Sequence, residues 1–146
     1  MTIKSVETIL TSPGVNYLIV KITTHEGIVG YGDATYNGRE LSVKTVIEDY
    51  LADYLKGHDA DRIGDIWQMV YKGSYWRGGP VLMTALAGID MALWDIKGKR
   101  AGMPVYSLLG GKVRDKVMVY HHVHGKNHEA LVERCRQKMV DGIRVL

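Results

Sequence analysis

The sequence has a single cysteine, Cys135, so no internal disulfide can form and a reducing, cytosolic setting is expected. It has no apolar run of membrane-spanning length, and its N-terminus lacks the basic-then-apolar pattern of a signal peptide. No membrane is therefore expected as a partner. Charge of one sign is also scarce: 19 lysines and arginines against 16 acids leave a net charge of +3, scattered rather than in runs. That pattern does not suggest nucleic-acid binding. Internal repeats and low-complexity tracts are absent. Prolines number three, Pro13, Pro80 and Pro104, and each falls where an element is expected to begin or end. The 146 residues present suffice for one good core.

The strongest signal runs over residues 79–111. Leu82, Ala85, Leu86, Ile89, Ala92, Leu93 and Ile96 recur at the three-and-four spacing of one helix face. Met83, Ala87, Met91 and Trp94 make other faces apolar, which predicts burial on more than one side. Pro80 suits a first helical turn, Gly102 offers a left-handed exit and Pro104 blocks continuation. Lys97, Lys99 and Arg100 gather where exposed carbonyls favour positive charge. Asp90 sits beside the apolar stripe, where an unpaired carboxylate is unfavourable. It is read as a structural aspartate accepting hydrogen bonds from a neighbouring segment. The alternative, a catalytic carboxylate, finds no second acid at matching spacing.

Before this helix, residues 3–10, 15–24 and 28–35 read as three strands separated by Ser12-Pro13-Gly14 and His25-Glu26-Gly27. Connections this short imply an antiparallel meander. Gly30 and Gly32 leave room for close approach by another element. A helix is predicted over 40–54, with Val43, Val46, Ile47, Tyr50, Leu51 and Tyr54 on one face. Asp61 is expected to cap a second helix carrying Ile63, Ile66, Trp67 and Val70. Strands first and helices afterwards make an α+β domain.

After Gly111 the pattern changes. Residues 116–122 are apolar and extended, 129–139 helical with Leu131, Val132, Cys135 and Met139 inward, and 142–146 begin another strand. This β-α-β order favours a parallel pair with a right-handed crossover. Two strands and one helix do not close a parallel sheet, so the chain is expected to stop partway through a second domain. The expected division is 1–112 and 113–146.

Three regions could carry chemistry. His122 and His124 share one face at the end of a strand, with His121 on the other. They read as a transition-metal half-site, as a hydrogen-bonding or acid group at a barrel mouth, or as surface histidines. Asn37, in Tyr36-Asn37-Gly38-Arg39, lies on a loop leaving the sheet, and an Asn-Gly pair is most often a turn. Tyr75 and Trp76, beside Arg77 and two glycines, either carry function or cover the start of the long helix.

Residues 87–99, AGIDMALWDIKGK, followed by Gly102-Met103-Pro104-Val105-Tyr106 and Leu108-Leu109-Gly110-Gly111, resemble the enolase superfamily. More closely they resemble its mandelate racemase/muconate lactonizing branch. Tyr36-Asn37-Gly38-Arg39-Glu40 and Val119-Tyr120-His121-His122 are similar to motifs of the D-mannonate dehydratases. The resemblance implies an α+β N-terminal capping domain, a three-stranded antiparallel meander plus helices. The first β-α-β of a modified (β/α)7β TIM barrel would follow.

It further implies a hydro-lyase that converts a sugar acid, D-mannonate and/or D-gluconate, to 2-keto-3-deoxy-gluconate. A base removes the proton beside the carboxylate, Mg2+ stabilises the enediolate and an adjacent hydroxyl leaves. Asn37 and His122 would contact substrate, and Trp76 would belong to the loop that closes over it. A homo-oligomer is also implied. One departure stands out: where the family usually reads His-Ala-Asn-Gly, this chain has His122-Val123-His124-Gly125. The family's three metal-binding carboxylates and its tyrosine–arginine pair would lie beyond Leu146, so these residues alone are expected to be inactive. Two other classes remain as alternatives: a His-x-His metal-dependent hydrolase, and a non-catalytic binding or regulatory cap.

Overall fold

Alternating apolar residues and tight turns produce a three-stranded antiparallel meander: β1 (Ile3–Thr11), β2 (Tyr17–Thr24) and β3 (Val29–Asp33), in that spatial order. The computed structural model describes residues 1–146, and the chain divides into two units, Met1–Gly111 and Lys112–Leu146. In the first unit β2 is central. Its Leu18, Val20, Ile22 and Thr24 all point into the core, and Ile22 pairs with Val6 on one side and Gly30 on the other.

Two strands are shorter than the apolar pattern predicts. β2 starts at Tyr17 because Val15 is exposed in the turn. β3 ends at Asp33 because side chains take over from the ladder. The Thr35 hydroxyl accepts the Leu18 N–H at 3.0 Å, and Asp33 accepts the Thr35 N–H at 2.9 Å.

The long helix lies across this sheet. Numbered in chain order, the helices are α1 (Glu40–Thr45), α2 (Ala52–Leu55), α3 (Ile63–Lys72), α4 (Pro80–Ala101), α5 (Val105–Leu108) and α6 (His128–Val140). In α4, Ala85, Leu86, Ile89, Ala92, Leu93 and Ile96 are buried, and each fully buried leucine or isoleucine contributes about 2 kcal/mol. Its end is a Schellman motif: Gly102 is left-handed at φ 62°, its N–H reaches Lys99 O, and the Met103 N–H reaches Gly98 O at 3.0 Å.

The expected close approach is here. A Cβ on Gly30 or Gly32 would run into the carbonyls of Ala92 and Gly88, and one on Gly88 would lie 2.8 Å from Val20 Cγ2. Backbone meets backbone because all three side chains are missing. Burial beyond the inner face is partial: Trp94 packs against the core and Met83 is part-buried, whereas Met91 and Ala87 are exposed.

The helix predicted over 40–54 is interrupted. Between α1 and α2, Val46–Leu51 forms a π-helical segment, in which each turn holds an extra residue. The buried positions therefore run Glu40, Val43, Ile47, Ala52 and Leu55. Tyr50 and Tyr54, expected inside, are 70% and 46% exposed. A uniform period of 3.6 carried the inward face past the π segment, which instead rotates it.

Asp61 does not cap α3. Its carboxylate pairs with Lys97 at 2.9 Å and with Arg100, tying the loop before α3 to the end of α4. Asp90 likewise departs from expectation: no hydrogen bond or ion pair reaches its carboxylate, and partial burial alone pushes its pKa above the usual range. Asp95 is the engaged aspartate, accepting the Tyr31 N–H at 2.9 Å and pairing with Lys99 at 2.7 Å.

In the second unit, Asn127 caps α6 by accepting the Ala130 N–H at 2.9 Å. Leu131, Val132 and Cys135 are half-buried, whereas Met139, expected inward, is 65% exposed. The predicted strand over 116–122 is reduced to one parallel bridge, Tyr120 to Val145, with the His121 N–H on Val145 O at 3.1 Å. The pairing direction is as expected, but no side chain here is fully buried to hold a ladder in register.

Candidate functional site

The Asn37 loop is anchored before it begins. The Ala34 N–H donates to Leu18 O at 2.8 Å, and Tyr36 packs against the core. The Arg39 N–H then closes a turn onto Tyr36 O at 2.8 Å. Gly38, at φ 74°, occupies the third turn position, while Asn37 in the second has no positive φ. That combination is a type II turn, whose third position requires glycine-like freedom. Asn37 thus sits at an exposed corner, and its side chain makes no hydrogen bond.

Below the corner lies Glu40, only 5% exposed, whose Oε1 accepts the Gly38 N–H at 2.9 Å. Its own N–H, the Gly38 N–H and the Asn16 side chain favour the charged form and hold the carboxyl below the ordinary range. Sequence reasoning passed over Glu40 as a helix start. The available signal was an acid two residues after the glycine of an Asn-Gly turn.

Trp76 lies on a separate loop, between α3 and α4. It is 81% exposed and meets Tyr75 edge-on at 5.2 Å, so neither ring covers the start of α4. Ser74 Oγ donates to Trp76 O at 2.9 Å, and Arg77 stacks over Tyr71 at 5.8 Å. An apolar cavity of about 260 Å3 opens beside this loop, between Tyr50, Tyr71, Trp76, Leu82 and Met83.

His122 belongs to the second unit. It is exposed and meets Tyr120 edge-on at 5.1 Å, and its carbonyl lies 2.7 Å from His121 Nδ1. The His124 carbonyl accepts from Arg134 Nη1 at 2.6 Å. No third metal-ligating side chain joins His122 and His124, and nowhere do three or more such groups converge.

Residues 4–110 match the mandelate racemase/muconate lactonizing enzyme N-terminal domain. The chain belongs to that family. The capping-domain architecture expected from the resemblance is the one observed, three antiparallel strands followed by helices. Among relatives, a D-mannonate dehydratase of Caulobacter vibrioides is 61% identical over 121 residues, 83% of this chain and 30% of its own length. A D-galactonate dehydratase family member of Marinomonas sp. is 52% identical over all of this chain and 36% of its own. In three dimensions, an enolase from Pantoea ananatis solved with D-gluconate and Mg bound matches at a TM-score of 0.91 and 50% identity. That match covers 97% of this chain and 35% of the enolase. The chain therefore spans about a third of the length of these family members.

Proposed function

We propose that this mandelate racemase-type N-terminal domain is part of an acid-sugar dehydratase acting on D-mannonate and/or D-gluconate. The observation that carries the reading is similarity, over 83% and 100% of the chain, to proteins named D-mannonate dehydratase and D-galactonate dehydratase family member. A gluconate-bound enolase of nearly the same N-terminal fold adds support. In this reading residues 1–112 form the cap and 113–146 open a TIM barrel.

The reaction breaks the C–H bond beside the carboxylate and expels a hydroxyl from the next carbon as water. The resulting enol becomes a 2-keto-3-deoxy acid. Asn37 and His122 bind and orient the sugar acid. The exposed amide of Asn37 offers both donors and an acceptor to hydroxyl or carboxylate groups, and the imidazole of His122 offers one of each or two donors. Trp76, on its exposed loop, excludes water from the closed site.

Residues 1–146 supply no ligand set for Mg2+, since no three acidic, histidine or cysteine side chains converge. In this reading Mg2+ is held by other residues of the whole protein, and no step here is routed through it. A cytoplasmic homo-oligomer accompanies this reading; no helix is long and apolar enough to cross a membrane.

The test is to supply the full-length polypeptide with D-mannonate, D-gluconate and D-galactonate in Mg2+ buffer and measure 2-keto-3-deoxy product. Product from D-mannonate or D-gluconate is expected. No product from either, with the protein folded, overturns the reading, and product from D-galactonate alone overturns its choice of substrate.

A further inference from the structure

We propose that Glu40 is a positioning residue for substrate binding: its buried carboxylate fastens the 36–39 turn and holds Asn37 at a fixed corner. The inference rests on the reading of Asn37 as a substrate contact.

Glu40 and Thr24 are the two buried polar residues of the chain, and Glu40 alone carries charge. It forms no salt bridge, so a buried carboxylate here must be sustained by hydrogen-bond donors. The donor is local: the Gly38 N–H reaches Glu40 Oε1 at 2.9 Å, with Glu40's own N–H, the Asn16 side chain and the Arg39 charge favouring the ionised form. Starting a helix does not require this arrangement, because an exposed serine or aspartate would satisfy the first turn. What the arrangement adds is a hold on Gly38, the residue following Asn37.

The corner is thereby pinned at three places. Leu18 and Thr35 secure its root, the Arg39 N–H closes it onto Tyr36 O, and Glu40 takes the amide of Gly38 inside it. Only the Asn37 side chain is left disengaged. A binding group fixed in advance loses little freedom when ligand arrives. Substrate and transition state benefit alike, so the effect falls on KM and not on kcat.

The experiment uses the full-length polypeptide with D-mannonate, and D-gluconate in parallel. Variants are Glu40→Ala, Glu40→Gln, Asn37→Ala and the double Asn37→Ala/Glu40→Ala, with hydrogen exchange of the peptide spanning 36–40. Glu40→Ala is expected to raise KM about tenfold with kcat within about twofold, and to speed exchange of that peptide. Glu40→Gln keeps an acceptor oxygen and should restore KM to within about threefold. In the Asn37→Ala background, Glu40→Ala should add less than about twofold.

An unchanged KM in Glu40→Ala, while Asn37→Ala raises it, sinks the positioning role and leaves the substrate contact standing. Equal effects of Glu40→Ala in both backgrounds also sink it, because the cause is then global. A neutral Asn37→Ala overturns the substrate contact, and the positioning role with it. If Glu40→Ala does not fold, Glu40→Asp, too short to reach Gly38, replaces it under the same criteria.

Discussion

The two units differ in one respect that explains most of the rest. Every fully buried side chain lies in Met1–Gly111, and none lies in Lys112–Leu146. In the first, apolar periodicity became strands, helices and a Schellman cap. In the second, an equally readable β-α-β pattern yielded one capped helix and a single-residue bridge. Helix α6 forms from local bonds and its Asn127 cap. A parallel ladder instead needs neighbours and covered faces, and no side chain of Lys112–Leu146 is fully buried. Pattern specifies where a strand belongs; burial decides whether it is there.

The comparison can be broken most sharply at the backbone contact between β3 and α4. Gly32→Val places two methyl groups against the Gly88 carbonyl and should destabilise the first unit by about 3 kcal/mol or more in urea unfolding. A loss under about 1 kcal/mol would show that the contact is not tight. Next, Ile89→Ala should lose about 3 kcal/mol in the same assay, against less than about 0.5 for Met139→Ala in the second unit. Similar losses at the two sites would erase the difference between units.

The π segment predicts a contrast within a single turn. Leu55→Ala should destabilise by about 2 kcal/mol, and Tyr54→Ala by less than about 1, reversing the order a continuous α-helix implies.

The smallest effects concern pH. Glu40 has a depressed carboxyl pKa, so its contribution is present above the ordinary carboxylate range and disappears as pH falls through the folded value. Asp90 is opposite. Its raised pKa favours the folded state at low pH, and that advantage is lost as pH rises through the ordinary and then the folded value. Thermal melts between pH 3 and 7, about the carboxylate range, should therefore show Glu40→Gln flattening the acid limb. Asp90→Asn should raise Tm slightly at pH 7, near which the wild-type carboxylate is charged and unpaired. A lower Tm for Asp90→Asn would mean that the carboxylate has a partner in the folded protein.

Much of the first unit is legible in the order of its residues. Pro80, Gly102 and the three-and-four spacing set both ends and the inner face of α4, and Gly30 and Gly32 announce a close neighbour. Less legible are features that depend on non-local competition. The π segment follows from the need to bury Ile47 and Leu55 in one core, which no local propensity encodes. Asp61 could cap α3 or pair with α4, and only the fold brings Lys97 and Arg100 within its reach. At the candidate site the Asn-Gly turn is readable, but the buried carboxylate beneath it is not, because an acid opening a helix is ordinarily solvated.

By itself the sequence determined the antiparallel order of the strands, the extent and caps of α4 and the family. The strand order and α4 rest on short-range rules, turn length, periodicity and backbone freedom at glycine, whereas the family rests on the likeness of whole motifs to known ones. Only the tertiary structure decided which aspartate is paired, where the helical face rotates and that Glu40 grips the Asn37 turn. Each of those depends on which groups are removed from water together, and that is a property of the packed chain rather than of any segment of it.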